Sequence, residues 1–296
     1  MNTQILIHAH VYYVDMWSQI RAFLDQKALC HAELWVTYVG NQEQLKKEVL
    51  QFAPTAHVLQ VPNKGYDIAP FVEVCKQARL ENFDYCIKIH TKQDMEPRMI
   101  LSSDPSLGWI DLTGSEWRNK LLLFLKSQNL TACLKAFKNN ERLGMVAFKE
   151  LIFTNEPVDK NAWNWGIELL QEAGLTLKSP AFVAGSMFMC RAALLQPAIN
   201  LLSEKQFEQP SREIACSISH AAERFLGFCI SAQGYSIEDV FTSTKELRKL
   251  SIHKKLKPLL RFFYQHKKTK NGRNIIKICK IPVFVGKSHS DSHTNS

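Results

Sequence analysis

Over its first ninety residues the chain switches repeatedly between two hydrophobic periods, and this limits its folds more than any other feature. Ile5 to Tyr13 is β-branched, apolar and aromatic, which reads as a buried strand ending near His10. Trp17, Ile20, Phe23 and Leu24 then recur at helical spacing within 15–29. Glu33 to Val39 reads as a second strand, 41–52 as a charged amphipathic helix and His57 to Val61 as a third strand. A helix over 68–79 and a strand from Tyr85 to His90 follow. Such alternation predicts a mostly parallel α/β sheet flanked by helices. In sheets of this kind ligands bind beyond the carboxyl ends of the strands. His10, Thr37, the 62–67 turn and His90-Thr91-Lys92 all fall at those ends.

Beyond residue 92 the pattern is looser. Residues 93–113, rich in Pro, Ser, Asp and Met, read as a long loop of the kind used for lids. Helices are expected over 115–127, 129–139, 161–173, 192–203 and 211–231. Strands are expected at Leu143 to Phe148, at Phe182 to Met189 with a small-residue break, and at 235–241. The body is expected to span 1–244. Residues 245–287 read as a separate extension, helical and amphipathic through 245–270, and 288–296 as a disordered tail.

Charge separates body from extension. Lys and Arg number 37 against 28 Asp and Glu, a formal +9. Residues 245–287 hold 14 of those basic residues and one acid, Glu246, so the body itself is slightly acidic. That distribution argues against a nucleic-acid groove in the body and turns attention to the extension. With 46% apolar and 22% charged residues, and no apolar run of about 20, the chain has a soluble globular composition. The start lacks the basic and cleavage regions of a secretory signal. The eight cysteines show no C-x-x-C pair and read as reduced, mostly buried thiols.

Four groups of residues can carry chemistry. Asn63, Lys64, Gly65, Tyr66 and Asp67 join a strand to a helix, where amides face an anion and Asp67 can accept bonds from a nucleotide. The same residues also describe an ordinary turn with Asp67 as the helix N-cap. Lys88, His90 and Lys92 alternate on one strand face, costly unless paired, either with a diphosphate or with Asp67 or Asp94. His220, Glu223 and Arg224 share a helix face, on which Glu223 can act as general base or simply sit in a solvated pair set. Gly185 and Ser186 permit close approach of a ligand and Arg191 can clamp phosphate; a bulged core strand is the alternative. Trp109, Trp117, Trp163 and Trp165 can stack on sugar or fill a core.

Taken in order, these pieces resemble one family. Pro62 to Phe71 resembles its Pro-Asn-Arg-Gly-x-Asp-Ile-Gly-Pro-Phe signature, and Tyr85 to Lys92 its Lys-Ile-His-Thr-Lys strand. Trp117-Arg118, Gly185-Ser186-Met187-Phe188 with Arg191, Phe207-Glu208 and His220 to Arg224 follow in its order. The family is rhamnan synthesis protein F, and the resemblance spans about residues 4–241, with Lys64 and Ala69 replacing the usual Arg and Gly.

The resemblance implies a GT-A-like, Rossmann-like glycosyltransferase. It would move a sugar, rhamnose among the candidates, from a dTDP- or UDP-sugar to a lipid-linked glycan in lipopolysaccharide, O-antigen or capsule synthesis. Glu223, then Asp67, are the expected catalytic carboxylates. Donor contacts are expected from His10, Asn63, Lys64, Gly65, Asp67, Lys88, His90, Lys92, Gly185, Ser186 and Arg191. Trp117, Arg118, His220 and Arg224 are expected on the acceptor side or behind it. Where other GT-A enzymes carry Asp-x-Asp, this chain has His90-Thr91-Lys92. A metal-independent site is therefore expected, with Mg or Mn through Asp94 or Glu96 as the alternative. The basic extension is expected on anionic lipid at the inner face of a bacterial inner membrane. A non-catalytic glycan-binding or scaffolding subunit is the alternative function.

Overall fold

The computed structural model describes residues 3–93, 98–101, 109–112, 114–154, 160–177, 179–209, 217–239, 264–268, 273–278 and 281–287. They divide into two compact units, Met1–Phe241 and Thr242–Ser296.

The first unit is an α/β layer structure. Its strands are β1 (Ile5–Val11), β2 (Glu33–Val39), β3 (His57–Val61) and β4 (Tyr85–His90), with α1 (Trp17–Leu24), α2 (Glu43–Phe52) and α3 (Ile68–Gln77) between them. β5 (Arg98–Leu101) and β6 (Trp109–Leu112) pair antiparallel. A structureless loop was expected there, but two short apolar stretches flank its polar middle, and each can fill a ladder. Then come α4 (Gly114–Leu121), α5 (Ser127–Asn139), β7 (Leu143–Val146), β8 (Ile152–Phe153), α6 (Lys160–Glu172), β9 (Phe182–Val183) and β10 (Phe188–Arg191). α7 (Gln196–Leu201), α8 (Ile218–Ala232) and β11 (Ser236–Glu238) complete the unit.

Seven strands form one sheet in the order β11-β7-β10-β4-β1-β2-β3. All run parallel except β10, which is antiparallel to both β4 and β7. β1 and β4 are buried along their whole length, because helices cover both faces of a parallel sheet. β10 decides where the site lies. Running backwards, it brings its amino end, and the Gly185-Ser186 turn before it, to the edge where the parallel strands end. Phe188 stands opposite Lys88 in this pairing.

In register, His8 faces Lys88 and His10 faces both His90 and Thr37. Alternation therefore gathers His8, His10, Thr37, Lys88 and His90 on one face and leaves Ile7, Ala9, Ile87 and Ile89 on the other. α3 lies over the polar face: the Phe71 ring sits 5.7 Å from that of His8 and 6.1 Å, edge-on, from that of Phe188. Elsewhere the core is apolar. Trp163 of α6 meets Phe228 of α8 edge to face at 4.9 Å and also contacts Phe182. Trp163 is thus a core side chain, while Trp165 is partly exposed.

In the second unit β12 (Tyr264–Lys268), β13 (Arg273–Ile278) and β14 (Ile281–Lys287) make an antiparallel meander. The amphipathic helix expected through residue 270 is corrected at 264–268, which is strand. Hydrophobic period alone does not separate the two for short apolar stretches. Residues 245–263 and the tail from 288 lie outside the described residues.

Candidate functional site

Lys88 is the centre of the site. It lies inside β4 with no exposed surface. An ammonium buried without partners would cost several kcal/mol, and here all three of its protons are used. Nζ donates to Asp67 Oδ2, to the Ser186 carbonyl at 3.1 Å and to Ser186 Oγ at 2.9 Å. Ser186 Oγ in turn donates to Asp67 Oδ2. The Phe71 ring closes over the ammonium, 5.6 Å from its centroid.

Two turns deliver the partners. Gly65 and Tyr66, at φ 60° and 53°, bend the chain between β3 and α3 and present Asp67. A Cβ on Gly65 would stand 2.6 Å from Ala69 Cβ and 2.7 Å from Phe207, so only glycine fits. Asp67 precedes α3, yet its side chain caps nothing; it turns to Lys88 instead. Gly185 and Ser186, at φ 81° and 48°, form the other turn. Left-handed backbone at a tyrosine and a serine is strained, and such strain gathers at functional sites.

Burial would raise the Asp67 carboxyl, but His90, Lys88 and the bonds from Lys88 and Ser186 outweigh it and hold it well below the usual carboxylate range. His90 Nδ1 lies 3.3 Å from Asp67 Oδ2. Burial, helped by Lys88, lowers His90 to about 3 and His10 to about 4, and lowers His8 as well. All three imidazoles are neutral at neutral pH, so the Lys88 ammonium is the charge that balances Asp67. Thr37 Oγ1 bridges His8 Nε2 at 2.8 Å and His10 Nδ1 at 2.9 Å. A hydroxyl has one proton to give, so at least one of these rings donates to it. Thr91, also buried, accepts at Oγ1 from the backbone N–H groups of Tyr12 and Tyr13, both at 3.0 Å, and fixes the chain leaving β1.

Glu223 of α8 joins the cluster through the second turn. Its Oε1 accepts from the Gly185 N–H at 2.7 Å and its Oε2 from Arg224 Nη1 at 3.1 Å. Burial raises its pKa, with Arg224 opposing and Asp67 reinforcing. Arg224 also donates to the His220 carbonyl and lies over the Phe182 ring. His220 Nδ1 is bonded to Ser217 Oγ, the cap of α8, and its ring is 6.0 Å from Tyr66.

The structure thus brings together His10, Gly65, Asp67, Lys88, His90, Gly185, Ser186, His220, Glu223 and Arg224. Lys88 is corrected as a direct diphosphate ligand, because its ammonium is sealed and its protons are spent. Arg191 is also corrected. It pairs with Tyr85 at the far end of β4, and its guanidinium donates to the carbonyls of Leu143, Phe137 and Asn140. Lys64 lines a cleft of about 220 Å³ between β3 and α3, with Pro62, Glu73 and Glu204. Asn63 is exposed and Lys92 half-buried, its carbonyl accepting from Arg118. The Trp117 side chain, Asp94 and Glu96 lie outside the described residues. His8 was missed, although alternation with His10 placed it on the same face.

The first unit is an α/β protein with a buried ionic cluster at the carboxyl edge of a mostly parallel sheet and a carboxylate of raised pKa beside it. More narrowly, the chain belongs to the rhamnan synthesis protein F family, which matches residues 1–235. It is 26% identical over 243 residues to the uncharacterized protein WxcX of Xanthomonas campestris pv. campestris strain B100. The counterpart in strain ATCC 33913 gives the same identity. Each alignment covers 78% of this chain and 32% of the relative, so the chain spans about a third of those proteins' length.

Among solved structures, it is similar to core-mannan synthase A of Aspergillus fumigatus in its Mn/GDP form, with a TM-score of 0.36 and 8% identity over 79% of this chain and 69% of that one. It is also similar to glucosyl-3-phosphoglycerate synthase of Mycobacterium tuberculosis with Mn2+, UDP and phosphoglyceric acid, with a TM-score of 0.32 and 10% identity over 96% and 89%. Both are described with manganese and a nucleotide. For this chain the expectation of a metal-independent site is withdrawn on its own geometry, since Lys88 is bound to Asp67 and Ser186 and does not replace an ion on a diphosphate. Among the described residues no three His, Cys, Asp or Glu side chains are grouped to hold an ion, and no helix is long and apolar enough to cross a membrane.

Proposed function

We propose that the first unit is a glycosyltransferase of polysaccharide synthesis, with Glu223 as its general base. The observation that carries this reading is the Glu223 carboxylate, raised by burial and held by the Gly185 amide beside the Asp67 cluster. Raised carboxylates in such a setting are matched to proton abstraction near neutral pH. Family membership supports the sugar chemistry.

In this reading a nucleotide-sugar, with dTDP or UDP as carrier, lies over the carboxyl edge of β1, β2 and β4. Asp67 accepts from the nucleotide. A hydroxyl of a lipid-linked glycan attacks the anomeric carbon and gives its proton to Glu223. The bond from that carbon to the diphosphate oxygen breaks, and its electron pair leaves with the nucleoside diphosphate. His220 and Arg224 keep Glu223 oriented. The basic 245–287 segment places the chain on anionic lipid at the cytoplasmic face of the inner membrane, at about 1 kcal/mol per basic residue near the surface.

The test is a panel of dTDP- and UDP-sugars, dTDP-rhamnose among them, scored first by ligand-induced rise in melting temperature and then by transfer. Glu223→Gln should bind the donor found and turn over roughly 10²–10⁴ times more slowly. Full turnover by that variant would remove Glu223 from the base role.

A further inference from the structure

We infer that Lys88 is a positioning residue: an internal cation that keeps Asp67 ionised and, through Ser186, holds the Gly185 amide on Glu223. The inference rests on the reading above for what the two carboxylates do, but the linkage stands on geometry alone.

Three segments distant in sequence meet at one nitrogen. Asp67 comes from the turn before α3, Ser186 from the turn before β10, and Lys88 from the middle strand between them. Ser186 accepts both bonds, at its carbonyl and its hydroxyl, from a left-handed backbone at φ 48°. The adjoining Gly185, also left-handed at φ 81°, gives its N–H to Glu223 Oε1, 2.7 Å away. Lys88 therefore reaches Glu223 through two residues without touching it. Its own surface is fully covered, so substrate meets Asp67 and Glu223 and never the ammonium.

The groups facing Asp67 are Lys88 and His90 from β4, His8 and His10 from β1, Ser186 from the turn before β10 and Glu223 from α8. Lys88 is the cation among them that donates to Asp67. Without it Asp67 keeps only His90, 3.3 Å away and itself held low by burial, and burial raises a carboxylate that loses a partner. A purely structural ion pair behaves differently, because neutralising both partners together restores what removing one destroys.

The deciding experiment needs no ligand. The carboxyl 13C signals of Asp67 and Glu223 and the Gly185 amide are followed by NMR from pH 4 to 9 in the full chain. In the wild type Asp67 should not titrate in that range. In Lys88→Met it should titrate there, and the Gly185 amide proton should move upfield. Leu45→Ala, a core variant in α2, should leave both signals in place while lowering the melting temperature. Lys88→Met with Asp67→Asn should regain melting temperature but not the Gly185 shift.

If Lys88→Met does not fold, the double variant Lys88→Met with Asp67→Asn carries the test, through the Gly185 amide alone. An Asp67 that still fails to titrate, or an unmoved Gly185 amide, overturns the inference. A second arm measures UDP and dTDP binding by calorimetry. Lys88→Met should bind about tenfold more weakly at pH 6 and recover at pH 9; equal loss at both values would mean that the ammonium grips the diphosphate itself. A wild-type chain that binds neither nucleotide counts against the proposed function, while the NMR result on Lys88 stands.

Discussion

Acid should unfold this protein from inside the site, well before ordinary surface carboxylates titrate. Burial lowers His10 from 6.5 to about 4 and His90 from 6.5 to about 3. In the unfolded chain both return to the ordinary value. Between the two values the unfolded state binds protons that the folded state refuses, so stability rises with pH there and is lost on acidification from about pH 6.5. At pH 5 an unfolded histidine is almost fully protonated and these folded ones almost wholly neutral. Each then costs about 2 kcal/mol relative to pH 7, and the pair costs about 4 kcal/mol, against a total stability of roughly 5–15 kcal/mol. His8 adds in the same direction, and loss of the Asp67 charge adds further only at lower pH.

The assay is urea unfolding at pH 7, 6 and 5 on the wild type, His10→Gln and His90→Gln. Each variant should lose about 2 kcal/mol of the wild-type difference between pH 7 and pH 5, whatever its stability at pH 7. Equal wild-type stability at the two values would refute the placement of neutral imidazoles in the cluster. So would an undiminished difference in both variants, which would assign the acid sensitivity to other groups.

Three further outcomes follow from the structure. Gly65→Ala should lower stability by about 1–3 kcal/mol through the clash with Ala69 and Phe207 and by about 1 kcal/mol more through the left-handed backbone; a wild-type urea midpoint would contradict the packing. Arg191→Met should cost about 1–3 kcal/mol by removing the guanidinium's bonds to three carbonyls and should not change nucleotide affinity, so weakened UDP or dTDP binding at unchanged stability would return Arg191 to the site. Reversing Lys254, Lys255 and Lys257 to Glu should weaken co-sedimentation with phosphatidylglycerol vesicles by more than about a hundredfold at low salt, and unchanged binding would remove that segment from membrane attachment.

Much of the sheet was legible because strands buried on both faces cannot hide their period. Ile5–Val11 and Tyr85–His90 are apolar or aromatic at every position but His8, His10, Lys88 and His90, and the breaks between strands carry Gly, Pro and Asn. The Asp67 turn was legible for the same reason. The direction of β10 was not, because a four-residue strand reads the same in either orientation. Nor was the fate of Arg191, whose guanidinium serves carbonyls or phosphate equally well. The 264–268 segment was read as helix because its basic, aromatic composition satisfies both periods over so few residues.

The sequence by itself determined the α/β class, the edge at which a ligand would lie and the residue types gathered there. Local periodicity and turn chemistry are properties of neighbouring residues, and they are written in the chain. Only the tertiary structure decided which charges meet. Antiparallel β10 carried Gly185 and Ser186 back over Lys88, so a lysine expected on a diphosphate is an internal counter-ion to Asp67. The same turn put a backbone amide on Glu223 and left Arg191 at the far end of the sheet. Pairing between segments some twenty to a hundred residues apart is set by strand order and burial, and no spacing within the sequence encodes it.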